Sequence, residues 1–181
     1  MSDLRPVLFV PHGSPMFALQ PGAAGAAMSQ LAPQLGTPRA IVVISPHWET
    51  AVPTVGFATR PSTIHDFGGF PPELFVQQYP APGSPELAQE IKNMIQDTPI
   101  HLDHGWGLDH GTWTILKHFY PAANIPVVQF SIDYRQPLSY HFNLAKQLSS
   151  LRKKGVLIIG SGNIVHNLRA VDFSKINEVG Y

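Results

Sequence analysis

The chain has 181 residues, 44% of them hydrophobic, and its twelve basic and twelve acidic side chains cancel to a formal net charge of zero. That length suits one domain with one sizeable core, and the balanced charge gives no electrostatic reason to expect nucleic acid or an anionic membrane as partner. Cysteine is absent, which excludes disulfides and thiolate ligands and leaves any metal to histidine, carboxylate and water.

From the N-terminus, the first apolar run, VLFV (Val7 to Val10), flows straight into PHGSPM (Pro11 to Met16) and is too short for a signal peptide. No later run approaches the roughly 20 residues of a membrane span, so the chain reads as cytoplasmic. Four aliphatic residues bounded by turn formers predict a buried parallel strand. The same pattern recurs at IVVI before SPHWE (Ser45 to Glu49) and at VLII before GSGNIVHNL (Gly160 to Leu168). Between the first two, Gly25 to Leu35 is an alanine-rich, ambiguous helix interrupted by Pro33.

The segment Thr59 to Pro82 is dense in proline, glycine and aromatic residues. It predicts a packed connection or a lid, in which Phe67, Phe70, Phe75 and Tyr79 offer aromatic walls to a planar ligand. Ser84 and Pro85 then cap a helix that carries Leu87, Ala88, Ile91, Met94 and Ile95 on one face and ends near Asp97. Ile100 to Leu102 is a weak peripheral strand. A shorter helix carries Trp113, Leu116 and Phe119 until Pro121 stops it, and Pro126 to Phe130 gives a fourth strand. From Pro137 a helical repeat of Leu138, Phe142, Ala145, Leu148 and Leu151 runs to a stop at Gly155. Alternating strand and helix predicts an α/β fold, a three-layer α/β/α sandwich with a mostly parallel central sheet.

Three strand runs each lead into a turn with a histidine. If their ends are neighbours, His12, His47 and His166 converge, and convergent imidazoles suit a first-row metal ion. Each also has a plainer reading. His12 hydrogen-bonds its turn, His47 pairs with a carboxylate such as Glu49, and the GSGN before His166 has a rival reading as a phosphate loop, whereas Asn163 and Asn167 are placed to orient the His166 imidazole. In GWGLDHGTW, His110 reads as a general acid or base whose tautomer Asp109 or a backbone carbonyl fixes, or else as a helix N-terminal contact. His65 and Asp66, in the aromatic segment, either serve structure or meet a substrate hydroxyl. His101, His118 and His141 read as solvent-exposed. Ser14 and Ser161 sit on glycine turns but fit no G-x-S-x-G elbow, and GSGN lacks the lysine and spacing of a phosphate loop.

Taken in order, PHGSPM, SPHWE, IHDFGGFP, GLDHGTW and GSGNIVHNLR resemble the class III extradiol ring-cleavage dioxygenases of the LigB superfamily, in particular the bacterial and plant DOPA 4,5-dioxygenase-like group. The resemblance spans nearly the whole chain. It implies an α/β/α domain and a non-haem metal, Fe(II) for activity and often Zn(II) in isolated protein, where a catechol and dioxygen meet. By motif it makes His12 and His47 metal ligands, His166 an additional ligand or an acid/base close to the metal, and His110 a residue of substrate binding or proton transfer. The family continues beyond GNIVHNL and supplies a further histidine ligand in a segment like PEHYLPL. The chain, ending at Tyr181, reads as a single catalytic domain over 1–181 without that portion.

The leading expectation is therefore metal-dependent oxygenative cleavage of a catechol such as DOPA. Its metal ligands are His12, His47 and His166, its proton-transfer groups His110 and His166, and its substrate contacts His65 and Asp109. Its partners are the catechol and dioxygen, with neither nucleic acid nor membrane, and association into a homo-oligomer is open. Two alternatives stand beside it. One is a zinc hydrolase that uses Glu49 or Asp109 as carboxylate; the other is a non-enzymatic module like the Memo-like members of the same superfamily.

Overall fold

The computed structural model describes residues 4–164 together with Asn167 and Arg169. Its strands are β1 (Val7–Val10), β2 (Ala40–Thr50), β3 (Thr54–Gly56), β4 (His101–Asp103), β5 (Val127–Asp133) and β6 (Val156–Ser161), joined in one sheet of order β1-β6-β2-β5-β3-β4. All neighbours run parallel except β3 against β5, which meet antiparallel at Val55 and Phe130. The predicted mostly parallel sheet is present. The three runs VLFV, VLII and IVVI lie side by side at one end of it, so the loops that follow them share one edge.

Alternate residues of each strand enter opposite layers. Ile41, Val43, Val127, Leu157 and Ile159 pack with α1 (Gly22–Leu35) and α4 (His110–Phe119), through Met28, Leu35, Trp113, Ile115 and Leu116. Val42, Val128, Phe130, Val156 and Ile158 pack with α3 (Pro85–Met94) and α5 (Leu138–Leu148), through Leu87, Ala88, Ile91, Leu144 and Leu148. Two-sided burial explains why these strands read as continuous apolar runs rather than as alternating ones.

Element boundaries depart from the sequence pattern where packing overrides it. The Ser84 hydroxyl accepts from the Leu87 N–H and starts α3 as expected, but the helix stops at Met94, because Ile95 turns extended and buries its side chain in the second layer. The repeat beginning at Pro137 is α5 followed by a 3-10 stretch, Ser149–Lys154, which keeps Leu151 buried before Gly155 turns left-handed at φ 78°. Helix α1 accommodates Pro33 in its last turn, where one lost hydrogen bond is cheap.

Strand β2 does not end at Ile44. It continues to Thr50 with a register shift against β5 between Ile44 and Glu49, the irregularity expected around Pro46, which has no N–H to give. His47 therefore stands on a strand, not in a loop beyond it. The segment 59–82 holds one short helix, α2 (Pro72–Phe75), and is otherwise irregular but fastened. Leu108 N–H donates to the Ser62 carbonyl and Ile64 N–H to the Leu108 carbonyl, while Leu74 and Tyr79 are buried.

Candidate metal centre

The site is built at the strand edge where β1, β6 and β2 end. Gly13, at φ 60°, lets the chain turn sharply after Pro11 and leaves the His12 side chain buried against the end of β6. His47 projects from the irregular half of β2 with its side chain 30% exposed. His110 is the first residue of α4, whose start is fixed by Asp109, a cap that accepts from the Thr112 N–H. Next to it, a side chain at Gly111 would come within 2.5 Å of Ser45 Oγ and 2.9 Å of His47 Cδ2, so only glycine lets the helix approach β2 this closely.

The three imidazoles meet. Ring centroids lie 4.9 Å apart for His12 and His47, 5.4 Å for His12 and His110, and 3.9 Å for His47 and His110. The Nε2 atoms of His12 and His47 are 3.0 Å apart, and one nitrogen from each of the three rings falls within 4.8 Å of the others. Two imidazoles bound to one tetrahedral ion would hold their nitrogens about 3.3 Å apart. The 3.0 Å spacing of the His12 and His47 nitrogens fits two donors to a borderline divalent ion of the first transition row, with the His110 ring close beside them.

Carboxylates stand behind the rings. Asp66 accepts from the His110 backbone N–H at 2.9 Å with Oδ1 and from His110 Nδ1 at 2.9 Å with Oδ2, the latter also lying 3.8 Å from His47 Nδ1. Burial pushes the Asp66 carboxyl up, but its hydrogen bonds with His110 outweigh that and hold it below the ordinary value. Asp109 is fully buried, accepts from Gln129 Nε2 at 2.6 Å, and is pushed up by that burial against the hydrogen bonds from Gln129 and Ser45.

A family profile described as the catalytic LigB subunit of aromatic ring-opening dioxygenase matches residues 7–178. The chain belongs to the LigB family. It is similar to a 4,5-DOPA dioxygenase extradiol of Escherichia coli (strain K12), 47% identical over 173 residues, which cover 94% of this chain and 64% of that protein. Another is a 4,5-DOPA dioxygenase extradiol of Beta vulgaris, 38% identical over 170 residues, or 91% of this chain and 63% of that one. A crystal structure of an uncharacterized Escherichia coli K12 protein superposes with a TM-score of 0.76 at 37% identity, covering 92% of this chain and 63% of the other. The LigB chain thus spans a little under two thirds of the length of these relatives.

Of the residues singled out by sequence, the structure brings His12, His47 and His110 together, while His166 lies outside the described residues. His65 stands apart from the cluster. Its Nε2 meets the Gln77 carbonyl at 3.0 Å, and its ring packs against Phe67 and Trp113. Asp109 faces inward to Gln129 and supports α4 from behind, so its buried carboxylate has no surface to offer a substrate. His110 instead takes its carboxylate partner from Asp66, which the sequence placed only on the aromatic segment.

His118 and His141 correct the exposed reading. Both are half-buried, with Nε2 at 2.9 Å from the Phe17 carbonyl and 3.1 Å from the Asp133 carbonyl respectively. Ser161 also went unrecognised as a partner of His12, because contacts across 149 positions leave no local sequence signal.

Two surroundings complete the centre. On one side the Phe67 ring stands edge-on to His110 at 5.7 Å and continues to Phe70 and Phe75. On the other, a largely apolar cavity of about 790 Å³ runs along β1, β6 and β2 from His12 and His47 past Phe9, Ile44 and Leu144.

Proposed function

We propose that this LigB chain carries the centre of an extradiol dioxygenase that opens a catechol ring such as that of DOPA, with Fe(II) as the working ion and Zn(II) as a stable occupant. The observation that carries the proposal is the meeting of His12, His47 and His110 at one strand edge beside an aromatic wall. His12 and His47 hold the ion. The ion supplies acidification of a bound hydroxyl and a common point for the two reactants.

The chain's own residues supply the rest. His110 accepts a phenolic proton at Nε2, since the Asp66 carboxylate, which can only accept, keeps the ring's other proton on Nδ1. As His110 becomes cationic, the same carboxylate stabilises it. Phe67, with Phe70 and Phe75 behind it, gives the substrate ring an apolar face and keeps water from that side. On the strength of its sequence motif, His166 is either a further ligand or the second proton-transfer group. The Escherichia coli and Beta vulgaris relatives named 4,5-DOPA dioxygenase extradiol support the substrate class.

The test is anaerobic loading with Fe(II), addition of DOPA, then admission of oxygen. A yellow semialdehyde with matching oxygen uptake is expected, and neither appearing from metal-loaded protein overturns the reading. His12→Ala is expected to lose stoichiometric metal in the same preparation, as elemental analysis would show.

A further inference from the structure

Ser161 belongs to a GSG sequence that fits neither a nucleophile elbow nor a phosphate loop; it is the last residue of β6 rather than part of a turn, and its side chain is buried at the centre of the site. Its Oγ is 2.8 Å from His12 Nδ1 and makes a short hydrogen bond to the Gly111 carbonyl. A carbonyl oxygen has no proton to give, and a serine hydroxyl has one. The Ser161 proton must therefore point at Gly111, since two oxygens this close without a proton between them would repel strongly. That leaves Ser161 Oγ as an acceptor toward His12, so His12 Nδ1 carries the N–H. In the neutral ring Nε2 is then the unprotonated nitrogen, and Nε2 is the atom turned toward His47.

We infer that Ser161 is a positioning residue that fixes the tautomer and ring direction of His12, so that Nε2 is presented to the metal centre. The hydroxyl also ties together three elements remote in sequence: the turn after β1, the end of β6 and the first turn of α4, which carries His110. It is not a nucleophile, because its only proton is directed to a carbonyl that cannot remove it. The inference rests on the metal-centre reading for its purpose but on protein hydrogen bonds alone for its geometry. Partners behind a ligating histidine commonly change metal affinity by about 10–100-fold when removed.

The test uses the metal-free and zinc-loaded chain, without substrate or oxygen. Imidazole ¹⁵N spectra of the metal-free wild type are expected to show His12 with its proton on Nδ1. In Ser161→Ala that resonance pattern should move toward a tautomer mixture while His65 and His118 keep theirs. Zinc affinity, measured by competition with a chromophoric chelator, should fall by about 10–100-fold in Ser161→Ala and recover substantially in Ser161→Thr, which restores the hydroxyl. A wild-type His12 protonated on Nε2 overturns the inference, with no variant needed. So does Ser161→Ala binding zinc within twofold of wild type while His12→Ala loses it, an outcome that leaves the metal centre standing. If His12→Ala also retains zinc, the metal centre and the role of Ser161 fall together.

Discussion

On the face of the sheet covered by α1 and α4, Ile41, Ile159 and Trp113 are 0% exposed; on the opposite face of β1, Val7 and Phe9 are 55% and 60% exposed beside the 790 Å³ cavity. Ile41, Ile159, Val7 and Phe9 all belong to the same kind of apolar strand run, and β1 and β6 are in register, Leu8 opposite Ile159 and Phe9 opposite Gly160. The strands do not differ in sequence character. What differs is the layer above them, since α5 covers β2 and β5 while the described residues leave β1 uncovered on that side. The histidines sit on this boundary: the side chain of His110 is 7% exposed on the closed side, and that of His47 is 30% exposed. Among the described residues, the centre is closed behind by α4 and open toward the cavity in front.

Breaking the closed face should cost most. Trp113 is fully buried and its Nε1 donates to the Ile64 carbonyl at 2.9 Å, tying α4 to the aromatic segment. Trp113→Ala is expected to lose about 3–5 kcal/mol in urea unfolding. A loss below about 1 kcal/mol would mean that the layer is not what secures α4.

A paired measurement sharpens the contrast. Ile159→Ala, on the closed face, is expected to cost about 2–4 kcal/mol, and Phe9→Ala, on the open one, less than about 1 kcal/mol despite the larger side chain. Equal losses would show that β1 is covered on both sides in solution.

The smallest effect lies at the surface. Glu90 is held below the ordinary value of 4.5, first by its hydrogen bond from Lys154 and then, against burial, by Arg39. Because the folded-state value is depressed, the stabilisation is present above the unfolded-state pKa and is lost as pH falls through the lower folded one. With partners about half exposed, Glu90→Gln should cost only a few tenths of a kcal/mol near neutrality. That difference should vanish in acid, and a Glu90→Gln penalty that persists in acid would assign the effect to packing.

Much of the scaffold was legible because its signals are local. Aliphatic runs between turn formers located β1, β2 and β6, the Ser84–Pro85 cap located α3, and Gly155 marked the end of the helical stretch before β6. The length of β2 was not legible, since Pro46 argues against a strand and only pairing with β5 beyond the register shift sustains one. Of the site, His12 and His47 were readable as residues after strand runs. That His110 joins them depends on Gly111 allowing α4 against β2, and that Asp66 backs His110 depends on how the segment 59–82 folds over α4.

By itself the sequence determined the layer architecture, the all-nitrogen and oxygen character of any metal site, and the histidines offered at the strand ends. These follow from periodicity, turn chemistry and composition, which act between near neighbours. Only the tertiary structure decided which imidazoles share a point, which carboxylate and which hydroxyl stand behind them, and which half of the sheet the described residues leave open. Hydrogen bonds such as Ser161 to His12 and Asp66 to His110 are short in space but 149 and 44 residues long in sequence, and only the packed layers bring those partners together.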